Sequence, residues 1–164
     1  QKLIDNASQY AETAKKFYTD RNAFYIGRNV DNVLAMEAAL KLKEISYIQC
    51  EAYAAGELKH GTLSLVEEGT LVIAIATQTH LVDKTINNIK ECAVRGAYMI
   101  AIAMEGDMRL DKEVQEVWEI PACPEIMAPA LVAIPAQLFG YYMAYEKGCD
   151  IDKPRNLAKS VTVE

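Results

Sequence analysis

The sequence predicts an α/β fold: a doubly wound, mostly parallel sheet flanked by helices and followed by an extended C-terminal tail. Three observations predict it. Two runs, LVIAIA (Leu71 to Ala76) and AYMIAIAM (Ala97 to Met104), are apolar throughout, as strands covered on both faces must be. A third run, AFYIG (Ala23 to Gly27), ends in glycine and leads into a long helical stretch, the way a parallel strand turns into its crossover helix. Helical patterns separate all three runs, and strands alternating with helices give a sheet with helices on both faces. In such a fold the functional groups are expected in loops beyond the carboxyl ends of the strands.

Along the chain, Leu3, Ile4, Ala7, Tyr10, Ala11 and Ala14 recur at helical spacing, with Lys15 and Lys16 near the end. This predicts an amphipathic helix over the first eighteen residues. After the strand at Ala23 to Gly27, VLAMEAALKLKEISYI (Val33 to Ile48) reads as a helix. CEAYAAGELKHG (Cys50 to Gly61) is rich in small residues and carries two glycines, which predicts a loop. The strand at Leu71 is followed by a helix from about Thr79 to Arg95, closed by Gly96. A shorter fourth run, EVWEIP, ends at Pro121.

The stretch from Ile126 to Tyr145 then carries no charge over twenty residues, a length that spans a bilayer. Pro129, Pro135, Gln137 and Gly140 interrupt it, and its flanks are acidic rather than basic, at Glu125 and Glu146. The expectation is a helix buried against the sheet or a subunit interface, with no membrane. No linker or repeat divides residues 1–153, so they are assigned to one domain, with 154–164 as a tail.

A chain of 164 residues is long enough to bury about two thirds of its unfolded surface in one core. Its 51% hydrophobic and 24% charged residues exclude disordered, collagenous and disulfide-scaffold classes. A net charge of -6 without a basic run argues against a nucleic-acid partner. Cys50, Cys92, Cys123 and Cys149 are far apart in sequence, and there are only two histidines. Neither a zinc site nor a disulfide framework is suggested, so no metal or cofactor is expected and the thiols should be buried or inert in a reducing cytoplasm. The opening QKLIDNASQY has neither an initiator Met nor the pattern of a signal peptide. A larger parent chain is expected.

Four stretches offer chemistry. Glu37, Lys41 and Glu44 lie at i, i+4 and i+7 on one helical stripe. That is either a solvated face with ion pairs or a coupled proton-transfer set with one carboxylate as base. His60 sits between glycines and would titrate near neutral pH, as a group exchanging a hydroxyl proton must. His80, in TQTHL, has no comparable company and is read as structural. FYIGRNVDN places one glycine between strand and helix, a weak anion-binding signal. The ending DKPRNLAKSVTVE carries Lys159; composition alone gives a frayed terminus.

Three stretches, ALKLKEISYI (Ala39 to Ile48), EAYAAGELKHG (Glu51 to Gly61) and PRNLAKSVTVE (Pro154 to Glu164), together resemble the glutamine:fructose-6-phosphate amidotransferase (glucosamine-6-phosphate synthase) family. The match is to its second, C-terminal sugar-isomerase (SIS) subdomain and covers nearly the whole chain. The resemblance implies an SIS-type, flavodoxin-like fold in a cytoplasmic, homodimeric enzyme. That enzyme makes glucosamine 6-phosphate from fructose 6-phosphate and glutamine.

It further implies that Lys159 attacks the C2 carbonyl to form a Schiff base, and that Glu44 moves a proton between C1 and C2. His60 assists ring opening from the neighbouring subunit, Lys41 belongs to the proton-transfer set, and Glu37 and Ala158 bind substrate. These roles suit the side chains, since a tuned carboxylate can both remove and return a proton and an amine is the usual nucleophile for a ketone. The tail is then expected to be ordered over the strand ends. The glutaminase domain and the first SIS subdomain, with its phosphate-holding serines and threonines, are missing, and Thr62 replaces a proline expected in some members. The alternatives are a non-catalytic phosphosugar-binding SIS module and an SIS enzyme that removes an amine from a phosphosugar, a fructosamine-phosphate deglycase.

Overall fold

A computed structural model describes residues 1–155; Ala158 and Lys159 lie outside the described residues. The predicted N-terminal helix is two, α1 (Lys2–Asp5) and α2 (Ala7–Phe17), because Asn6 leaves the helical conformation between them (φ -91°, ψ 14°). The chain continues through β1 (Asn22–Gly27), α3 (Val30–Ser46), β2 (Gln49–Ala54), β3 (Leu71–Ala76), α4 (Val82–Ala93), β4 (Tyr98–Met104), β5 (Glu116–Ile120) and α5 (Ala128–Glu146). Short 3₁₀ turns at Ala55–His60 and Thr62–Leu65 link β2 to β3.

All five strands are parallel, in the order β2-β1-β3-β4-β5. This is the doubly wound order of flavodoxin-like folds, in which the winding reverses between β1 and β3. The alternation of side chains along β1 sends Tyr25 to one face and Ile26 to the other. On the Tyr25 face, α2, α3 and α5 close a core around Tyr10, Leu42, Trp118 and Phe139. On the Ile26 face, α4 and the 3₁₀ turn after β2 cover Val72, Ala101 and Met99 with Ile89 and Leu58.

The strand β2 corrects the loop expected from Cys50 onward. It is an edge strand, paired with β1 alone and only partly covered. Gln49, Glu51 and two alanines give it neither the apolar run of β3 nor a β-branched residue. Pairing to β1, rather than local preference, makes it a strand.

The uncharged stretch forms α5, which buries Val132, Ala136, Phe139 and Met143. It is long and apolar enough to cross a membrane by length and composition, and here it packs on the sheet beside α2 and α3. Gly140 permits this closeness, since a Cβ there would lie 3.3 Å from Ile45 Cδ1. The expected thiol chemistry holds for Cys50 and Cys92: all four cysteines are free, and burial pushes the Cys50 thiol up to about 12 and the Cys92 thiol to about 11.

The turn from β1 into α3 is the tightest backbone approach. A Cβ on Gly27 would collide with the carbonyl of Asp31 and come within 2.7 Å of the Asn32 amide nitrogen. Backbone atoms cannot swing aside, so Gly27→Ala forces the first turn of α3 off the sheet. The expected loss is about 2 to 4 kcal/mol, measured as the shift of the urea unfolding midpoint.

Candidate active site

Helix α3 returns along the sheet after β1, so its N-terminus lies at the carboxyl ends of the strands and its C-terminus at their amino ends. One residue fixes its seat. Asp31, 1% exposed, accepts hydrogen bonds from Thr77 N (2.9 Å), Thr77 Oγ1 (2.5 Å) and Gln78 N (3.4 Å) beyond the end of β3. Gln78 in turn donates to the Arg28 carbonyl (2.8 Å) and accepts from Asn29 Nδ2 (3.2 Å). Asn29 has φ 50°, a positive value that asparagine tolerates better than most residues. Sequence reasoning missed this lock, although an aspartate soon after a strand-ending glycine is the signal that could have found it.

The lock bears on the weak anion signal in FYIGRNVDN. A crevice of about 380 Å³ opens there, lined by Gly27, Arg28, Gly56 and His80. Arg28 is engaged with Asn88 Oδ1 through Nε (3.1 Å) and Nη2 (2.8 Å). The Asp31 carboxylate holds the Thr77 and Gln78 amides, so these two donors are not open to an incoming anion. His80 is exposed, its Nδ1 3.6 Å from Glu125 Oε1.

Farther along α3, the predicted stripe comes together. Lys41 Nζ lies 2.9 Å from Glu44 Oε2 and 3.7 Å from Glu37 Oε1. Glu44 is the better covered carboxylate, with 24% of its side chain exposed against 57% for Glu37. The hydrogen bond that Lys41 donates to Glu44 raises the Lys41 pKa, opposed by partial burial and helped by the charges of Glu44 and Glu37. Lys41 is therefore a charged donor at neutral pH, not a base. The Glu44 carboxylate keeps free lone pairs after accepting from Lys41, as a base requires.

The other predicted residues do not join this set. His60 ends the 3₁₀ turn after β2 and therefore stands at the carboxyl side of the sheet. Its side chain is 75% exposed and 3.7 Å from Glu57. Glu44 lies little more than one turn before Gln49, the residue that opens β2 opposite Asn22 of β1, and so stands at the amino side. The stripe thus departs from the expectation that the functional groups gather beyond the strand carboxyl ends. A helix running antiparallel to its strand carries residues of its last turns to the other end.

Tyr47, unnoticed in the sequence, and Arg155 mark the Glu44 end. Tyr47 closes α3 in the left-handed conformation (φ 61°, ψ 17°), its N–H donating to the Lys43 carbonyl. Its ring underlies the Arg155 guanidinium at 3.9 Å, and its hydroxyl accepts from Arg155 N at 3.0 Å. Glu44, Tyr47 and Arg155 line one open groove of about 590 Å³. The segment entering the tail is thus pinned beside Glu44. Nothing in composition or periodicity marks a tyrosine for this task.

Residues 16–147 match the sequence pattern of the SIS domain. The chain belongs to the SIS domain family. Among its relatives, a glutamine--fructose-6-phosphate aminotransferase [isomerizing] from Caldanaerobacter subterraneus subsp. tengcongensis is 56% identical over all 164 residues. Proteins of that name from Clostridium tetani and Methanosarcina mazei are 54% and 46% identical over the same length. This SIS domain spans 27% of the length of the first two and 26% of the third.

Among solved structures, the C-terminal domain of glucosamine-fructose-6-phosphate aminotransferase from Francisella tularensis superposes with a TM-score of 0.85 at 34% identity. The match covers 92% of this chain and 43% of that one. A glucosamine-6-phosphate deaminase from Thermotoga maritima follows with TM-score 0.69 at 25% identity, over 98% and 48% of the two chains. Tagatose-6-phosphate ketose/aldose isomerase from Escherichia coli, at 18% identity and TM-score 0.71, shares the fold.

The Lys41–Glu44 pair has a direct test. Replacing Glu44 by Gln removes the leading cause of the raised lysine pKa, so the Lys41 titration, followed by NMR at its side-chain carbons, should move down toward the ordinary lysine value. The sign for stability follows from the raised value. The pair's contribution, about 0.3 kcal/mol for an exposed helical pair, is fully present below the ordinary lysine range and fades as pH rises through the raised one.

Proposed function

We propose that this SIS domain is the C-terminal part of the isomerase region of a glutamine–fructose-6-phosphate aminotransferase, and that it carries the groups that isomerise the sugar. The observation that carries the reading is the pinning of Arg155 on Tyr47, one turn past Glu44. Lys159 follows four residues later, and four residues span at most about 14 Å. Its amine is therefore within chain reach of a sugar held against Glu44. In this reading Lys159 attacks the C2 carbonyl of fructose 6-phosphate and water leaves as the Schiff base forms; ammonia from the parent's glutaminase domain then adds at C2 and expels the lysine amine, leaving the ammonia nitrogen on C2 as an imine. Glu44 takes a proton from C1 and returns it at C2, and Lys41 steadies the carboxylate through the 2.9 Å contact.

Ala158 and Glu37 border the substrate. His60 faces away from this set, which supports a role in ring opening on a neighbouring subunit of a homodimer. Ammonia release belongs to the glutaminase domain of the parent and phosphate binding to its first SIS subdomain. The cytoplasm is the assigned compartment. The 56% identity over the whole chain favours synthesis over amine removal or simple sugar sensing.

Two measurements test the proposal. Borohydride reduction of the parent enzyme with fructose 6-phosphate should leave a hexitol phosphate on Lys159, found by peptide mass, and the Lys159→Arg variant should trap none. Equal trapping by the variant would remove the Schiff-base role. The purified 164-residue chain, assayed alone with fructose 6-phosphate and ammonia, should form negligible glucosamine 6-phosphate.

A further inference from the structure

The turn that carries His60 has little of its own to hold it in place. It is one short 3₁₀ segment, Ala55–His60, followed by Gly61. Leu58 enters the core on the Ile26 face and fixes the middle of the turn. Among the described residues, the charged partner of the exposed His60 ring is Glu57, 3.7 Å away on the same turn.

Both ends of the turn converge on one buried amide. At the first end, Gly56 lies against the Arg28 guanidinium, where an added Cβ would stand 3.4 Å from both Nη1 and Nη2. Arg28 donates through Nε and Nη2 to Oδ1 of Asn88 on α4. At the other end, Lys59 precedes His60 and pairs with Glu91 Oε1 at 2.9 Å. The second oxygen of that carboxylate accepts from Asn88 Nδ2 at 3.3 Å.

Asn88 is 4% exposed. A side-chain amide accepts on one side and donates on the other, so Asn88 can join a guanidinium to a carboxylate, whereas an aspartate there would repel Glu91. Arg28 is held in its turn, since its carbonyl accepts from Gln78 Nε2 at 2.8 Å and from Asp31 N at 3.0 Å. The brace thus runs from Lys59 through Glu91, Asn88 and Arg28 into the Asp31 lock.

We propose that Asn88 is a positioning residue for His60. It holds residues 56 and 59 at a set height above the sheet and leaves the imidazole standing free beyond them. A group presented to a sugar on a neighbouring subunit has its own domain only at its base, so the stiffness of that base decides where the ring stands. Misplacing a reacting group by about 1 Å can cost about a hundredfold in rate. The inference rests on the reading of His60 as the ring-opening group, but not on the chemistry assigned to Glu44 and Lys159.

Exchanging the amide and the carboxylate tests the coupling. Asn88→Asp sets two carboxylates against each other, and Glu91→Gln leaves one oxygen to meet two donors. The double substitution restores a partner for every donor at unchanged shape and net charge. Glu91, with 23% of its side chain exposed, is the change the fold tolerates best. In the 164-residue chain, amide hydrogen exchange along residues 55–61 should rise at least about fivefold in either single variant and return to within about twofold in the double variant. Unchanged exchange in both single variants overturns the proposal, as does a double variant that exchanges as fast as they do.

Turnover by the parent enzyme gives a readout that a merely structural role would not move. Fructose 6-phosphate must be opened before it reacts, whereas 5-deoxyfructose 6-phosphate lacks the hydroxyl that closes the ring and is always open. Each single variant should lower kcat on fructose 6-phosphate about tenfold, keep KM within about twofold, and leave the open substrate within about twofold of the unsubstituted enzyme. The double variant should recover. His60→Asn is the reference for this pattern. Single variants that slow both substrates equally, while His60→Asn spares the open one, overturn the positioning role. If His60→Asn itself slows both equally, the ring-opening reading falls, and hydrogen exchange still decides whether Asn88 holds the turn.

Discussion

The buried carboxylate of Asp31 is the constraint on which the rest of the molecule depends. It is a polar group removed from water and compensated by three hydrogen bonds from the loop after β3. It also sits in the first turn of α3, where the helix dipole favours a negative group. Through it the start of α3 is fixed to the neighbouring strand, not merely to its own. The rotation of the helix about its axis is then set, and with it the direction in which Glu37, Lys41 and Glu44 point. The seam between α3 and α5 completes the setting. Ala35, Ala38 and Leu42 meet α5 where Ala136 and Gly140 let the backbones approach closely.

The framework of the sheet was legible because β3 and β4 are apolar on both faces, a composition with few other uses in a chain of this size. The edge strand β2 was not legible, because an edge has one neighbour and its side chains are half solvated, so its sequence need not look like a strand. The stripe on α3 could be read from spacing, since helical geometry fixes which residues share a face. Which end of the sheet the stripe would occupy follows instead from the antiparallel return of the crossover. The Asp31 lock and the pairing of Tyr47 with Arg155 escaped notice because each joins partners remote in sequence, at separations of 46 and 108 residues.

The distance between His60 and Glu44 within one domain has a physical meaning. Placed at opposite ends of the same sheet, the two groups have a rigid layer of β-structure between them, and no side-chain motion brings them together. If both serve one sugar, the domain must lend one group and borrow the other. An arrangement of that kind makes chemistry conditional on assembly, with the domain by itself holding parts of two incomplete sites.

Tyr47 illustrates a tension of a different kind. A tyrosine in the left-handed region costs on the order of 1 kcal/mol relative to glycine, the residue that most often ends a helix in this way. Glycine would relax the backbone, yet it offers no ring for Arg155 and no hydroxyl for its amide. Stability and placement therefore pull in opposite directions at this residue. A lineage selected for heat resistance alone would be drawn to surrender the anchor, while one selected for turnover would keep the strain.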